Sequence, residues 1–297
     1  MKQDIQIISA PSILGLKPSG VELLGKNLID VGLPYALNSL SSIIEVSVEN
    51  IQYSKTRDEK TKCLNSTLIH DFSLKLADVV FTQVMERNFS LVLGGDCSIL
   101  LGTMLALKRH GEYGLIFLDA HADNYMPDES PTGEVADMDL AIVTGRGPDL
   151  LTNIAGLKPY VKEGNVIHIG QRDAEETKRY GSRDIKDTSM QCFDFESLTT
   201  NGLSSTLQEV LAIISKTTHR GYWIHFDTDV LSDDENPAVD YRLPGGIRFK
   251  EIKEILHAVL QTGKVVGMSV TIFNPTLDHD GSIGRRISDC IVGAIKS

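Results

Sequence analysis

No apolar run in this chain approaches the roughly 18 residues that a membrane-spanning helix needs, which excludes a helical membrane protein. Lys/Arg tracts are missing too, and a net charge of −11 makes nucleic acid a poor partner. Acidity of that size serves solubility first and suits a cationic substrate only weakly. Cysteine is sparse: Cys63, Cys97, Cys192 and Cys290 are scattered and form no pair motif. That excludes a disulfide framework and points to a reducing cytoplasm. A signal-peptide pattern is absent, since Met1-Lys2-Gln3-Asp4 runs straight into the strand-like Ile5-Gln6-Ile7-Ile8. The chain contains no low-complexity segment, internal repeat or linker, and no phosphate-loop or dinucleotide fingerprint.

What the 297 residues do contain, with 41% apolar and 23% charged, is ample material for a globular core. Apolar runs read as strands at Ile5–Ile8, Ile43–Val48, Ser90–Leu93, Leu115–Leu118, Val166–Gly170, Met190–Phe195, Tyr222–Phe226 and Val265–Ile272. Helical spacing is predicted over Pro18–Val31, Leu68–Arg87, Ile99–Lys108, Val135–Val143, Leu203–Ile214, Phe249–Leu260 and Ile283–Lys296, with a further helix entered through Arg172-Asp173-Ala174-Glu175-Glu176. The charged stretch Lys55–Lys62 reads as a solvated loop. This alternation predicts a single α/β domain over 1–297, three layers deep, with a mostly parallel sheet.

Three polar clusters interrupt the apolar runs. Leu115-Ile116-Phe117-Leu118 ends in Asp119-Ala120-His121-Ala122-Asp123. At every second position of an extended segment, Asp119, His121 and Asp123 project the same way. Two carboxylates beside an imidazole suit a transition metal; the alternative is a strand-end turn with capping Asp residues and a satisfied His. Tyr222 to Asp229 repeats the pattern, with His225, Asp227 and Asp229 on one face. His225 reads as a core histidine or a hydrogen-bond donor to a ligand carboxylate. Between Leu93 and Ile99, Gly94-Gly95-Asp96-Cys97-Ser98 turns the chain sharply and presents Asp96 and Cys97 at the sheet edge. Loops leaving the carboxyl ends of parallel strands, such as Asn124–Gly133, are where such sheets bind ligands.

Taken together, Gly94-Gly95-Asp96-Cys97-Ser98, Asp119-Ala120-His121-Ala122-Asp123 and Asp227-Thr228-Asp229 resemble the three metal motifs of the arginase/agmatinase (ureohydrolase) family. Gly170-Gln171-Arg172-Asp173 and Asn274-Pro275 also fit, and the likeness spans nearly the whole chain. The resemblance implies an arginase-like α/β fold and two manganese ions bridged by a hydroxide that attacks a guanidinium carbon. One ion would bind Cys97, Asp119, Asp123 and Asp227, and the other Asp119, His121, Asp227 and Asp229. Asp123 would also hold the nucleophile by a hydrogen bond, as catalytic residue. Tyr125, Thr132 and Glu134 would contact the substrate tail, and Glu175 its amine. A homo-oligomer, trimer or hexamer, is likewise implied.

Three positions depart from the family pattern. Cys97 stands where the family usually has His; a thiolate adds negative charge, should make the bound water less acidic, and favours zinc, cobalt or iron over manganese. A branch acting on hydroxylated arginine also carries Cys there; otherwise Cys97 binds nothing and one metal remains. Ala136 takes the place of a proton-shuttling His. Ile272 takes the place of the acid that clamps the guanidinium, which favours an N-hydroxyguanidine, neutral near pH 7, over an ordinary guanidinium. Glu134 would repel a carboxylate tail unless it points to solvent. The expected activity is therefore release of urea or hydroxyurea from a guanidino or N-hydroxyguanidino compound. The alternatives are a catalytically silent partner subunit and a hydrolase of a formimino or amidine C–N bond.

Overall fold

An extended segment buried on both faces needs only about five apolar residues to cross a core, and the short apolar runs of this chain do that. The computed structural model describes residues 4–39, 43–47 and 52–296. Its strands are β1 (Ile5–Ala10), β2 (Ile44–Glu45), β3 (Phe89–Gly94), β4 (Gly114–Leu118), β5 (Val166–Ile169), β6 (Gln191–Phe193), β7 (Tyr222–Asp227) and β8 (Val265–Thr271). They pair in the order β2-β1-β3-β8-β7-β4-β5-β6, and every pair is parallel. The sheet is thus more uniform than the mostly parallel one expected. The strand expected over Ile43–Val48 is shorter, and Val48 lies outside the described residues.

Parallel neighbours require crossovers. These carry α1 (Leu24–Asp30), α2 (Leu33–Ala36), α3 (Ser66–Met85), α4 (Ile99–His110), α5 (Asp139–Val143), α6 (Asp149–Thr152), α7 (Ala174–Arg179), α8 (Phe195–Asn201), α9 (Leu203–Lys216) and α10 (Phe249–Gln261), and α11 (Ser282–Lys296) follows the last strand. The period of two along each strand divides them into layers. Leu91, Leu93, Ile116, Leu118, Ile224 and Phe226 face the layer that includes α1, α10 and α11. Val92, Leu115, Phe117 and Trp223 face the opposite layer, built on α3 and α4. Each fully buried side chain of this size contributes roughly 1.5–3 kcal/mol.

Two local expectations change. The helix predicted over Val135–Val143 is a 3-10 turn, Val135–Asp137, followed by α5, with Met138 breaking the regularity. The charged segment before α3 is mostly exposed, but Arg57 folds inward and donates to the carbonyls of Pro127 and Ser130 at 2.9 and 2.8 Å. A charge run says nothing of a guanidinium that finds backbone carbonyls to brace.

Candidate metal centre

Strands β3, β8, β7 and β4 are adjacent in the middle of the sheet, and their carboxyl ends carry Cys97, Thr271–Ile272, Asp227–Asp229 and Asp119–Asp123. Strands β3 and β4 are consecutive in the chain yet separated in the sheet by β8 and β7. Such a reversal of strand order opens a crevice at the strand ends, where ligands bind in open α/β sheets.

The acids converge by a different route from the one expected. Strand β4 ends at Leu118, and residues 119–123 turn rather than extend. Asp119 Oδ1 accepts the His121 N–H at 2.7 Å, and Asp227 Oδ1 accepts the Asp229 N–H at 2.8 Å. Each first acid thus closes a tight turn with one oxygen, as Asp readily does, and its other oxygen is free for other work. Asp119 Oδ2 is buried without a partner among the described residues, while Asp227 Oδ2 accepts from Cys97 Sγ at 2.6 Å. Asp123 has φ 45°, in the left-handed region that Asp tolerates better than most residues.

The glycines before Cys97 act through space, not through an unusual φ. A Cβ on Gly95 would lie 1.9 Å from the Ser12 carbonyl oxygen. Asp96 turns away from the crevice, accepting from Ser12 Oγ and the Ser98 N–H at 2.7 and 2.9 Å. Cys97 points in, with Sγ 3.3 Å from Thr271 Oγ1.

His121 Nδ1 lies 2.9 Å from Asp229 Oδ2, whose Oδ1 accepts the Ala120 N–H at 3.2 Å. Residues 170–173 brace both turns. The Arg172 guanidinium donates to the carbonyls of Asp229, Val230 and Leu231 at 2.7–3.2 Å, and its backbone N–H to Ala120 O at 2.8 Å. Asp173 Oδ2 accepts the Ala122 N–H at 3.0 Å. His168 Nε2 meets His121 O at 2.9 Å. His225 is a core residue stacked on Phe117, its Nδ1 3.0 Å from Ser269 Oγ. Its ring also reaches the site: a His225 nitrogen lies within 4.8 Å of ligand atoms of Cys97, Asp119 and Asp227.

So many acids in one dry place shift one another. Burial, then the Asp229 charge, raises Asp119 to about 7. Burial and neighbouring carboxylates push Asp123 and Asp227 well above the usual range. Asp229 is also buried, but His121 and Arg172 outweigh that and hold it low. Burial, then Asp227, holds the Cys97 thiol far up. A concentration of acids with an orphaned oxygen, a thiol and an imidazole fits divalent cations. Asp119, His121 and Asp123 offer ligand atoms within 4.8 Å of one another, and so do Cys97, Asp119 and Asp227.

Above this floor is a cavity of about 270 Å³ lined by Cys97, His121, Asp123, Asp227 and Asp229, with Asp119 buried behind them. Tyr125, Thr132 and Glu134 form part of its wall. The Thr132 hydroxyl is engaged inside the protein, donating to Asp137 Oδ2 at 2.8 Å. Glu134 does not escape to solvent; it is buried and accepts from the Tyr241 hydroxyl at 2.9 Å. Glu175 is misplaced by the sequence reading. It sits exposed on α7 and does not line the cavity, while Asp173, just before that helix, and Glu176, in its first turn, do. Ile272, Ala136, Leu16 and Cys97 make an apolar patch beside the acids. Ile272 has φ 72°, costly for a β-branched residue, and its N–H is held by Gly95 O at 2.9 Å. Sequence reasoning also missed Asp139, an acid heading the apolar Leu140-Ala141-Ile142-Val143; such a charge at a buried helix start was the available signal.

Residues 5–293 match the model of the arginase family. The chain belongs to that family. The arginase of Staphylococcus aureus (strain MRSA252) is 30% identical over 290 residues, covering 96% of this chain and 94% of that one. The arginase of Bacillus subtilis (strain 168) is 31% identical over 301 residues, covering 98% and 97%. A crystal structure of arginase from Bacillus subtilis superposes with a TM-score of 0.86 at 26% identity over 99% of each chain. As an arginase-family member the chain is a metal-dependent hydrolase of C–N bonds, and its three-layer parallel fold is that of the family.

Proposed function

We propose that this protein hydrolyses a guanidino or N-hydroxyguanidino compound, releasing urea or hydroxyurea and an amine. The observation that supports this most is the convergence of Cys97, Asp119, His121, Asp123, Asp227 and Asp229 at the floor of one cavity. Cys97, Asp119, Asp123 and Asp227 would hold one cation, and Asp119, His121, Asp227 and Asp229 the other. Two divalent ions there supply an activated water and positive charge for a tetrahedral oxyanion. Asp123, at the cavity surface, would hold the nucleophile by accepting a hydrogen bond from it at a carboxylate oxygen. The thiol favours zinc, cobalt or iron over manganese on its side.

The neighbouring walls support the choice of substrate. Ile272 would put hydrocarbon where a guanidinium needs an acid, with Ala136 in the same apolar patch, so the neutral N-hydroxyguanidine is the better guest. Glu134, Asp173, Glu176 and Asp240 line the cavity and suit a cationic tail. The same reading takes 1–297 as one unit, assembled as a trimer or hexamer in the cytoplasm. The test is colorimetric detection of urea and hydroxyurea from a panel of both compound classes after loading with Mn, Co, Zn or Fe. Absence of product with every metal would remove the proposal. Ala136, which cannot carry a proton, favours a second reading as a silent partner subunit; tight binding to an active relative without turnover would support it.

A further inference from the structure

One acid at the centre lies outside the two ligand sets. Asp139 opens α5 with its side chain fully buried, and neither carboxylate oxygen has a hydrogen-bond partner among the described residues. The Leu140 N–H lies near enough to favour its charge a little but forms no hydrogen bond with it. The nearest basic group, His225 Nε2, is 4.0 Å away. That separation is too long for a hydrogen bond, so the imidazole leaves both carboxylate oxygens unsatisfied. An orphaned buried carboxylate is costly wherever it occurs. A cation is the partner this environment can offer it.

One oxygen of Asp139, one of Asp123 and Cys97 Sγ lie within 4.8 Å of one another. Two donors on opposite sides of an ion bound at about 2.0–2.3 Å are at most some 4.6 Å apart, so a slight closure brings all three onto one cation. We propose that Asp139 is a further ligand of the divalent ion on the Cys97 side, forming with Cys97 and Asp123 an inner pocket of one sulfur and two carboxylates. This rests on the two-ion reading above. The centre then carries six anionic donors, Cys97, Asp119, Asp123, Asp139, Asp227 and Asp229, against the four charges of two divalent ions. That excess makes the sulfur side the tighter of the two positions, and it suits a borderline ion better than manganese.

The experiment is equilibrium dialysis of the full chain and of Asp139→Asn against Co(II), read by elemental analysis and by the thiolate-to-cobalt charge-transfer absorption. The wild type should bind two ions with a thiolate band. Asp139→Asn should keep the His121-side ion, weaken the other at least about tenfold, as loss of a ligand shell member does, and lose most of the band. Two ions at wild-type affinity with an unchanged band in Asp139→Asn would overturn the proposal. A wild type that binds two ions without the band would overturn it while leaving the two-ion reading intact; one that binds none would end both. Normal ion binding with the expected Asp139 effect but no urea or hydroxyurea would sink only the substrate reading. Melting guards against misfolding: Asp139→Asn, or Asp139→Ala beside it, should melt higher than wild type without metal and gain less from cobalt. Equal losses with and without cobalt would make Asp139 merely structural and overturn the proposal.

Discussion

At the scale of single residues, the chemistry turns on two substitutions of type. On the proposed reading, Cys97 would bring a thiol to a position of imidazole, and Ile272 hydrocarbon to the position of a clamping acid. Cys97→His should leave the fold intact and move the metal preference toward manganese, measured as the ratio of Mn to Co retained after competitive dialysis; an unchanged ratio would argue that the thiol binds no ion. Ile272 is more constrained, since its φ of 72° and the Gly95 hydrogen bond fix where any replacement points. Ile272→Glu should put a carboxylate beside the apolar patch. A hydrogen bond to a charged group contributes about 1.5–3 kcal/mol, so turnover of plain guanidino compounds relative to N-hydroxyguanidino ones should rise roughly 10- to 100-fold. A ratio that does not move would mean the reacting group lies elsewhere in the cavity.

At the scale of elements, much was legible and the contacts between distant segments were not. Strands β4 and β7 could be read because four or five apolar residues stop abruptly at acids, and helices α3, α9 and α10 because apolar residues recur at helical spacing. The mechanism of convergence could not be read. Alternation along a strand and a turn closed by an Asp oxygen place Asp119, His121 and Asp123 in one crevice equally well, and only the backbone tells them apart. Glu175 rests on the family likeness alone, which says nothing of helix phase: one position along α7 turns a side chain by about 100°, and it is Glu176 that lines the cavity. Gly95 could be seen as a turn, but its real constraint, the Ser12 carbonyl against it, joins residues far apart in sequence. Gly95→Ala should therefore force backbone apart, lower the melting temperature by several degrees, and reduce the metal content through Cys97. The loop before α5 carries its own pH dependence. Burial raises Asp137 to about 7 even though the Ser130 and Thr132 hydroxyls donate to it at 2.7 and 2.8 Å. Its folded pKa lies above the unfolded value, so the folded protein holds the extra proton, and stability falls as pH rises from about 4 to 7. Asp137→Asn should melt progressively higher than wild type across that window in metal-free protein; a constant gap would refute the assignment.

At the scale of the whole molecule, the sheet order concentrates charge. A chain with net charge −11 scatters most of its acids over its surface, but β3, β8, β7 and β4 bring the ends of their loops to one buried point. No helix among the described residues is long and apolar enough to cross a membrane. Without cations, protons do part of the cations' work there: Cys97 donates to Asp227, His121 faces Asp229, and burial with the Asp229 charge makes Asp119 hold a proton more tightly than a free carboxyl does. Metal must displace those protons before it can bind. Loading with Zn or Co at pH 7 should release at least one proton per chain into a weakly buffered solution, and apparent affinity should rise with pH through neutrality. The binding energy is also folding energy, because the unfolded chain has no such cluster: at a hundred times the dissociation constant a single ion adds about 2.7 kcal/mol. Calorimetric titration in buffers of different ionisation enthalpy measures the release directly. A heat independent of buffer would mean that the ions enter a site already deprotonated, and the pairing of Cys97 with Asp227 would then not be the one that cations replace.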